Sequence, residues 1–126
     1  MTTLKLTLIA LALALCGCTE LPTETKVEEA TFLTLHVLDA DQTSQFAGTN
    51  GRVIEEESVW AMGKRPSKRS VIVYFSACEA LHLGATEFMT AHHWPKLAIR
   101  TFEALTIMDA AQDVGGNYEL GVHFKF

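Results

Sequence analysis

The residues best equipped for chemistry are Glu79 and His82, a Glu-x-x-His step. Positions three apart share one face of a helix, so the carboxylate and the imidazole would point the same way. Carboxylate-bridged di-iron bundles use two such steps plus two further Glu on four helices; this chain carries one step. His36 and Asp39 repeat the spacing on an earlier segment. If the two segments faced each other, His36, Asp39, Glu79 and His82 would offer donors of the kind zinc or iron takes. The plainer reading is a polar stripe. Glu79, His82, Thr86, Thr90 and His93 recur at steps of three and four, as do His36, Asp39 and Thr43. Lys96, Arg100 and Glu103 form a third such stripe, in which Arg100 and Glu103 could pair. His92-His93 beside Trp94-Pro95 marks a bend, and Asp39-Ala40-Asp41 lacks the Gly and closing Glu of a calcium loop. No Ser-His-Asp context, phosphate loop or Cys-x-x-Cys is present. Cys78 lies in an apolar stretch and reads as a small buried hydrophobe.

The elements that must position these residues read as helices. Glu28–Phe46 carries Phe32, Leu33, Leu35, Val37 and Leu38 without Gly or Pro, and its leading Glu pair suits a helix N-terminus. Residues 47–51 (AGTNG) break it. Arg52–Met62 is ambiguous between a short helical turn and a loop. Ser67, after Pro66, is a natural N-cap for a helix reaching about Ala91, although Val71–Phe75 is β-prone. Pro95 suits the first turn of a third helix over Lys96–Val114, with Gly115-Gly116 expected to close it. Asn117–Phe126 alternates apolar and polar residues and reads as extended. The expected fold is therefore mainly α: a three-helix bundle, or a helical hairpin plus a shorter helix, with a short extended C-terminal tail.

Composition narrows the class. The 126 residues allow one domain, and 48% apolar content argues against disorder. A net charge of −5 argues against nucleic acid as a partner. No small-molecule substrate is indicated. Residues 70–91 would reach roughly 33 Å as a helix and follow the basic residues Lys64, Arg65, Lys68 and Arg69. However, Glu79, His82 and Glu87 lie within them, and residues 97–114 contain Arg100, Glu103, Asp109 and Asp113. Such residues are costly in a bilayer, so embedded and peripheral readings both stand.

The N-terminus reads as an address. Lys5 is followed by the apolar run Leu6–Leu15, too short to span a bilayer but right for a secretory signal. The run ends in Leu15-Cys16-Gly17-Cys18, which resembles the bacterial lipoprotein box. That resemblance implies cleavage before Cys18, a covalent lipid on Cys18 in place of any other cofactor, and attachment to the envelope membrane facing the periplasm. Thr19, rather than Asp, follows the lipidated position; by analogy with enterobacterial lipoproteins this slightly favours the outer over the inner membrane. The chain then divides into a signal peptide (1–17), a tether (18–27), a helical domain (28–117) and a tail (118–126).

A second resemblance covers residues 30–121 loosely. Asp39-x-x-Gln42-Thr43, Gly63-x-x-Pro66-Ser67 and Asn117-Tyr118-x-Leu120-Gly121 look like the polar signatures of small uncharacterised bacterial and prophage helical membrane proteins. It implies no activity, only that Asp39, Gln42, Thr43 and Asn117 form polar contacts between helices. The expectation favoured by the sequence is a non-catalytic envelope lipoprotein with a structural or protein-interaction role, possessing an envelope protein partner. One alternative is a metal-binding helical protein using His36, Asp39, Glu79 and His82. Another is a small multi-helix transmembrane component of an envelope complex.

Overall fold

The structure, a computed structural model, describes residues 21–49, 53–56 and 58–123. The signal peptide, Cys18 and the last three residues lie outside the described residues. The described chain is mainly α, with α1 over Thr23–Thr43, a 3-10 turn over Phe46–Thr49, α2 over Val59–Met62, α3 over Lys68–Ala91 and α4 over Lys96–Glu119. The three long helices form a bundle. Arg100, early in α4, meets Glu24 and Glu28 early in α1, whereas Asn117 meets Asp39 late in both, so α1 and α4 run parallel. His82 of α3 meets Glu29, and His36 meets Glu79, so α3 runs antiparallel to α1. Among the described residues no helix is long and apolar enough to cross a membrane.

Local signals set several boundaries. The Ser67 hydroxyl accepts from the Ser70 N–H and caps α3. The β-prone run Val71–Phe75 is helical, because Val71 packs on Ala40 and Met62 with Tyr74 and Phe75 against the cluster. The ambiguous stretch is both loop and helix. Residues 53–56 are irregular, the Glu55 carboxylate accepts from the Ser58 N–H, and one helical turn follows.

Three boundaries depart from expectation. First, α1 starts at Thr23, so residues 23–27, read as tether, are helical. Pro22 precedes the first turn, Glu24 lies at the positive end of the helix, and Thr25 is buried. Second, α1 stops at Thr43 rather than Phe46. Ser44 Oγ and Gln45 Nε2 both donate to the Asp41 carbonyl and divert it from continuing the helix.

Third, α4 runs through Gly115-Gly116 to Glu119, taking in the start of the expected extended tail. Gln42 donates to the carbonyls of Val114 and Val122, and Asn117 donates to Asp39. These contacts from α1 hold the last turns in place across the glycines. The helix ends instead at Gly121, whose φ is +81°. Gly121 N–H donates to Tyr118 O and Val122 N–H to Asn117 O, a Schellman closure that buries Val122 against Phe46 and Val53.

The same closure ends α3, with His93 at φ +54° where glycine would be unstrained. Thermal unfolding should separate the two caps. His93→Gly should raise the midpoint and Gly121→Ala should lower it, each by about 1 kcal/mol or roughly 5 °C.

Candidate metal centre

The middle of the bundle is polar. Glu29, Gln42, Thr86 and Glu103 are 0% exposed and Glu79 is 3% exposed. Burying carboxylates costs several kcal/mol unless they are paired or bind a cation. Glu29 on α1, His82 on α3 and Glu103 on α4 converge so that one donor atom of each lies within 4.8 Å of the others. His82 Nδ1 is 3.2 Å from Glu29 Oε2, and Nε2 is 3.8 Å from Glu103 Oε2. Phe32 and Phe102 both stack on the imidazole, at centroid distances of 3.8 and 4.9 Å.

The surrounding hydroxyls restrict the protons. Thr106 Oγ1 lies 2.8 Å from His82 Nε2 and 3.0 Å from the carbonyls of both Phe102 and Glu103, so its one proton is shared among these acceptors and the His82 tautomer sets the direction of the imidazole contact. Nδ1 faces the Glu29 carboxylate: when protonated it donates to Oε2, and when unprotonated it leaves a place for a cation between them. Thr86 Oγ1 donates to Glu103 Oε1 at 2.6 Å. Glu29 Oε1 and Glu103 Oε2 remain buried with no hydrogen-bond partner. Burial pushes the Glu103 carboxyl up to about 7, with the neighbouring Glu29 charge adding to it and the Thr86 bond and His82 opposing it.

A second pair lies beside this cluster. His36 Nδ1 is 3.3 Å from Glu79 Oε2, and Phe32 packs on His36 as well, at 4.2 Å. An open cleft of about 1130 Å³ has both histidines in its lining, with His36 partly exposed and His82 buried. Among the described residues the cleft is lined by Asp39, Glu55, Glu56, Asp109, Asp113 and Glu119, and by no Lys or Arg.

Of the four metal candidates read from the sequence, His36, Glu79 and His82 lie together in the bundle interior. Asp39, one turn after His36 on α1, has its Oδ1 accepting from Asn117 Nδ2 at 2.8 Å and from Thr43 Oγ1 at 3.3 Å. Gln42 and Asn117 bridge α1 to the end of α4, while the Thr43 hydroxyl bond stays within α1. The expected Arg100–Glu103 pair does not form. Arg100 is exposed and pairs with Glu24 and Glu28, while Glu103 turns into the core. His92 is exposed, with Nδ1 on the Phe88 carbonyl. Cys78 is half-buried.

Sequence reasoning missed Glu29 and Glu103. A signal was available: Glu29 shares a face with Phe32 and His36, and Glu103 shares one with Ile99, Thr106 and Ala110.

Comparison of the chain with protein-family models, curated proteins and solved structures returned no match. The functional reading therefore rests on the chemistry of the site.

Glu103 generates a prediction for the metal-free protein. Its folded pKa lies above the unfolded value of 4.5, so its contribution to stability is fully present below pH 4.5. That contribution is lost as pH rises through about 7. Each pKa unit corresponds to about 1.4 kcal/mol, so the loss amounts to a few kcal/mol. Denaturant unfolding at pH 5.5 and pH 8 should show it, and Glu103→Gln should flatten that part of the profile.

Proposed function

We propose that this chain is a divalent-metal-binding helical protein, with Glu29, His82 and Glu103 as ligands. One observation carries the reading. Two fully buried carboxylates from different helices converge on one imidazole, each with an oxygen left without a hydrogen-bond donor. A cation would neutralise the carboxylates and use those oxygens. One imidazole with carboxylate oxygens suits zinc, iron or manganese. Thr86 and Thr106 act as outer partners, orienting Glu103 and His82 respectively. The acidic cleft would raise the local cation concentration at its lining imidazoles.

The protein is assigned to the bacterial envelope on the Leu15-Cys16-Gly17-Cys18 box, with lipid on Cys18. Labelled palmitate should enter the wild-type chain, and Cys18→Ser should remain unlabelled and retain its leader. A structural or interaction role is the second reading, favoured by exposed apolar side chains: Leu81 and Phe88 on α3, and Leu97, Leu105 and Met108 on α4.

Elemental analysis separates the two. Purified full-length protein is stripped with chelator, then equilibrated with Zn²⁺, Mn²⁺ or, without oxygen, Fe²⁺, and desalted. The metal reading expects a stoichiometric tightly held ion that raises the unfolding midpoint. His82→Ala and Glu29→Gln should lose it, while His92→Asn should keep it. A folded wild-type chain that retains no metal overturns the reading and leaves the interaction role.

A further inference from the structure

The pair beside the proposed centre has the same unsatisfied chemistry and a different outlook. Glu79 sits one helical turn before His82 on α3, and its side chain is 4% exposed. Neither of its oxygens has a hydrogen-bond partner, and the His36 imidazole at 3.3 Å is the counter-group in contact. A buried carboxylate in that state is compensated by a proton, on itself or on His36, or by a cation. The His36 side chain is 17% exposed and lines the cleft, so this pair reaches solvent while Glu29 and Glu103 do not. Phe32 touches both imidazoles, at centroid distances of 4.2 and 3.8 Å, so the two pairs are neighbours.

We propose that Glu79 and His36 form a second divalent-metal position, adjacent to the Glu29–His82–Glu103 centre and open to the acidic cleft. It rests on the metal-binding reading of that centre. With two protein ligands and water completing the coordination, it binds more weakly and exchanges faster than the enclosed position. Its place on the cleft makes it the position a cation arriving from solvent meets first. The ion it takes belongs to the same imidazole-and-carboxylate class as the first.

Calorimetric titration of chelator-stripped, full-length protein with Zn²⁺ tests this, with Co²⁺ absorption as a second readout. The expected wild-type isotherm has two steps, the second at least about tenfold weaker. His36→Ala and the shape-conserving Glu79→Gln should each remove the weaker step and leave the tighter one, which also reports that the variant is folded. His92→Asn with His93→Asn, which removes two exposed imidazoles, should leave both steps. A single step in wild type, or a weaker step that survives His36→Ala and Glu79→Gln, overturns the second position and leaves the first standing. A weaker step lost in the His92/His93 variant assigns it to the surface and overturns it equally. Absence of any binding in wild type is the separate failure of the enclosed centre.

Discussion

Burial of three carboxylates in the middle of a small helical bundle is the constraint that shapes the rest of the structure. Glu29, Glu79 and Glu103 come from three different helices, and each is almost or wholly out of solvent. In a low-dielectric interior they repel one another, and each charge is costly without a partner. The structure opposes this with His82 between Glu29 and Glu103, His36 against Glu79, and the Thr86 hydroxyl on Glu103. Two imidazoles against three carboxylates still leave an excess of negative charge. Burial, with the neighbouring Glu29 charge adding to it, gives Glu103 its raised affinity for a proton, and the excess charge is the physical argument for a cation. A proton at Glu103 and a metal at the same carboxylate are competing answers to one electrostatic problem.

The bundle geometry follows from where apolar packing is concentrated. Ala40, Met62 and Val71 form one cluster near the late end of α1. Phe46, Val53 and Val122 form another beyond it, sealed by the closure at Gly121. The polar layer lies between these clusters and the opposite end, at the middle of α1 and α3 and the first half of α4. There Phe32 and Phe102 supply the apolar surface by stacking on His82. Leu21, Met89 and Ile99 are buried at the opposite end, so apolar burial on both sides leaves the middle able to hold groups that would be unfavourable in a uniform core.

Much of the fold was legible because its signals are local. Ser67 and Pro95 mark helix starts by their own geometry, and the long segments between them lack strong breakers. The end of α4 was not legible for the opposite reason. Gly115-Gly116 is a stop signal in isolation, but Gln42 and Asn117 add contacts across α1 and α4 that the local sequence does not announce. Gly121, a single glycine in what looked like an alternating tail, is the residue that turns the chain.

The site divides in the same way. The Glu79–His82 step is a spacing within one helix and could be read directly. Glu29 resembles a surface charge at a helix start, and Glu103 resembles the partner of Arg100; only the juxtaposition of α1, α3 and α4 brings both inward.

The arrangement grades from open to enclosed. Among the described residues carboxylates line the cleft without a Lys or Arg, His36 stands partly exposed on its lining, and His82 is almost wholly buried against Phe32, with Glu29 and Glu103 fully buried. Field lines concentrate in such a cleft, so a cation is drawn inward before any ligand contacts it. Each step inward removes water, which strengthens attraction to the carboxylates and raises the cost of leaving them uncompensated. A bundle stabilised only for folding would be better served by apolar residues at these positions. Phe32 stacks on His82 and packs at a tilt on His36, so one ring contacts an imidazole of each pair and links their positions.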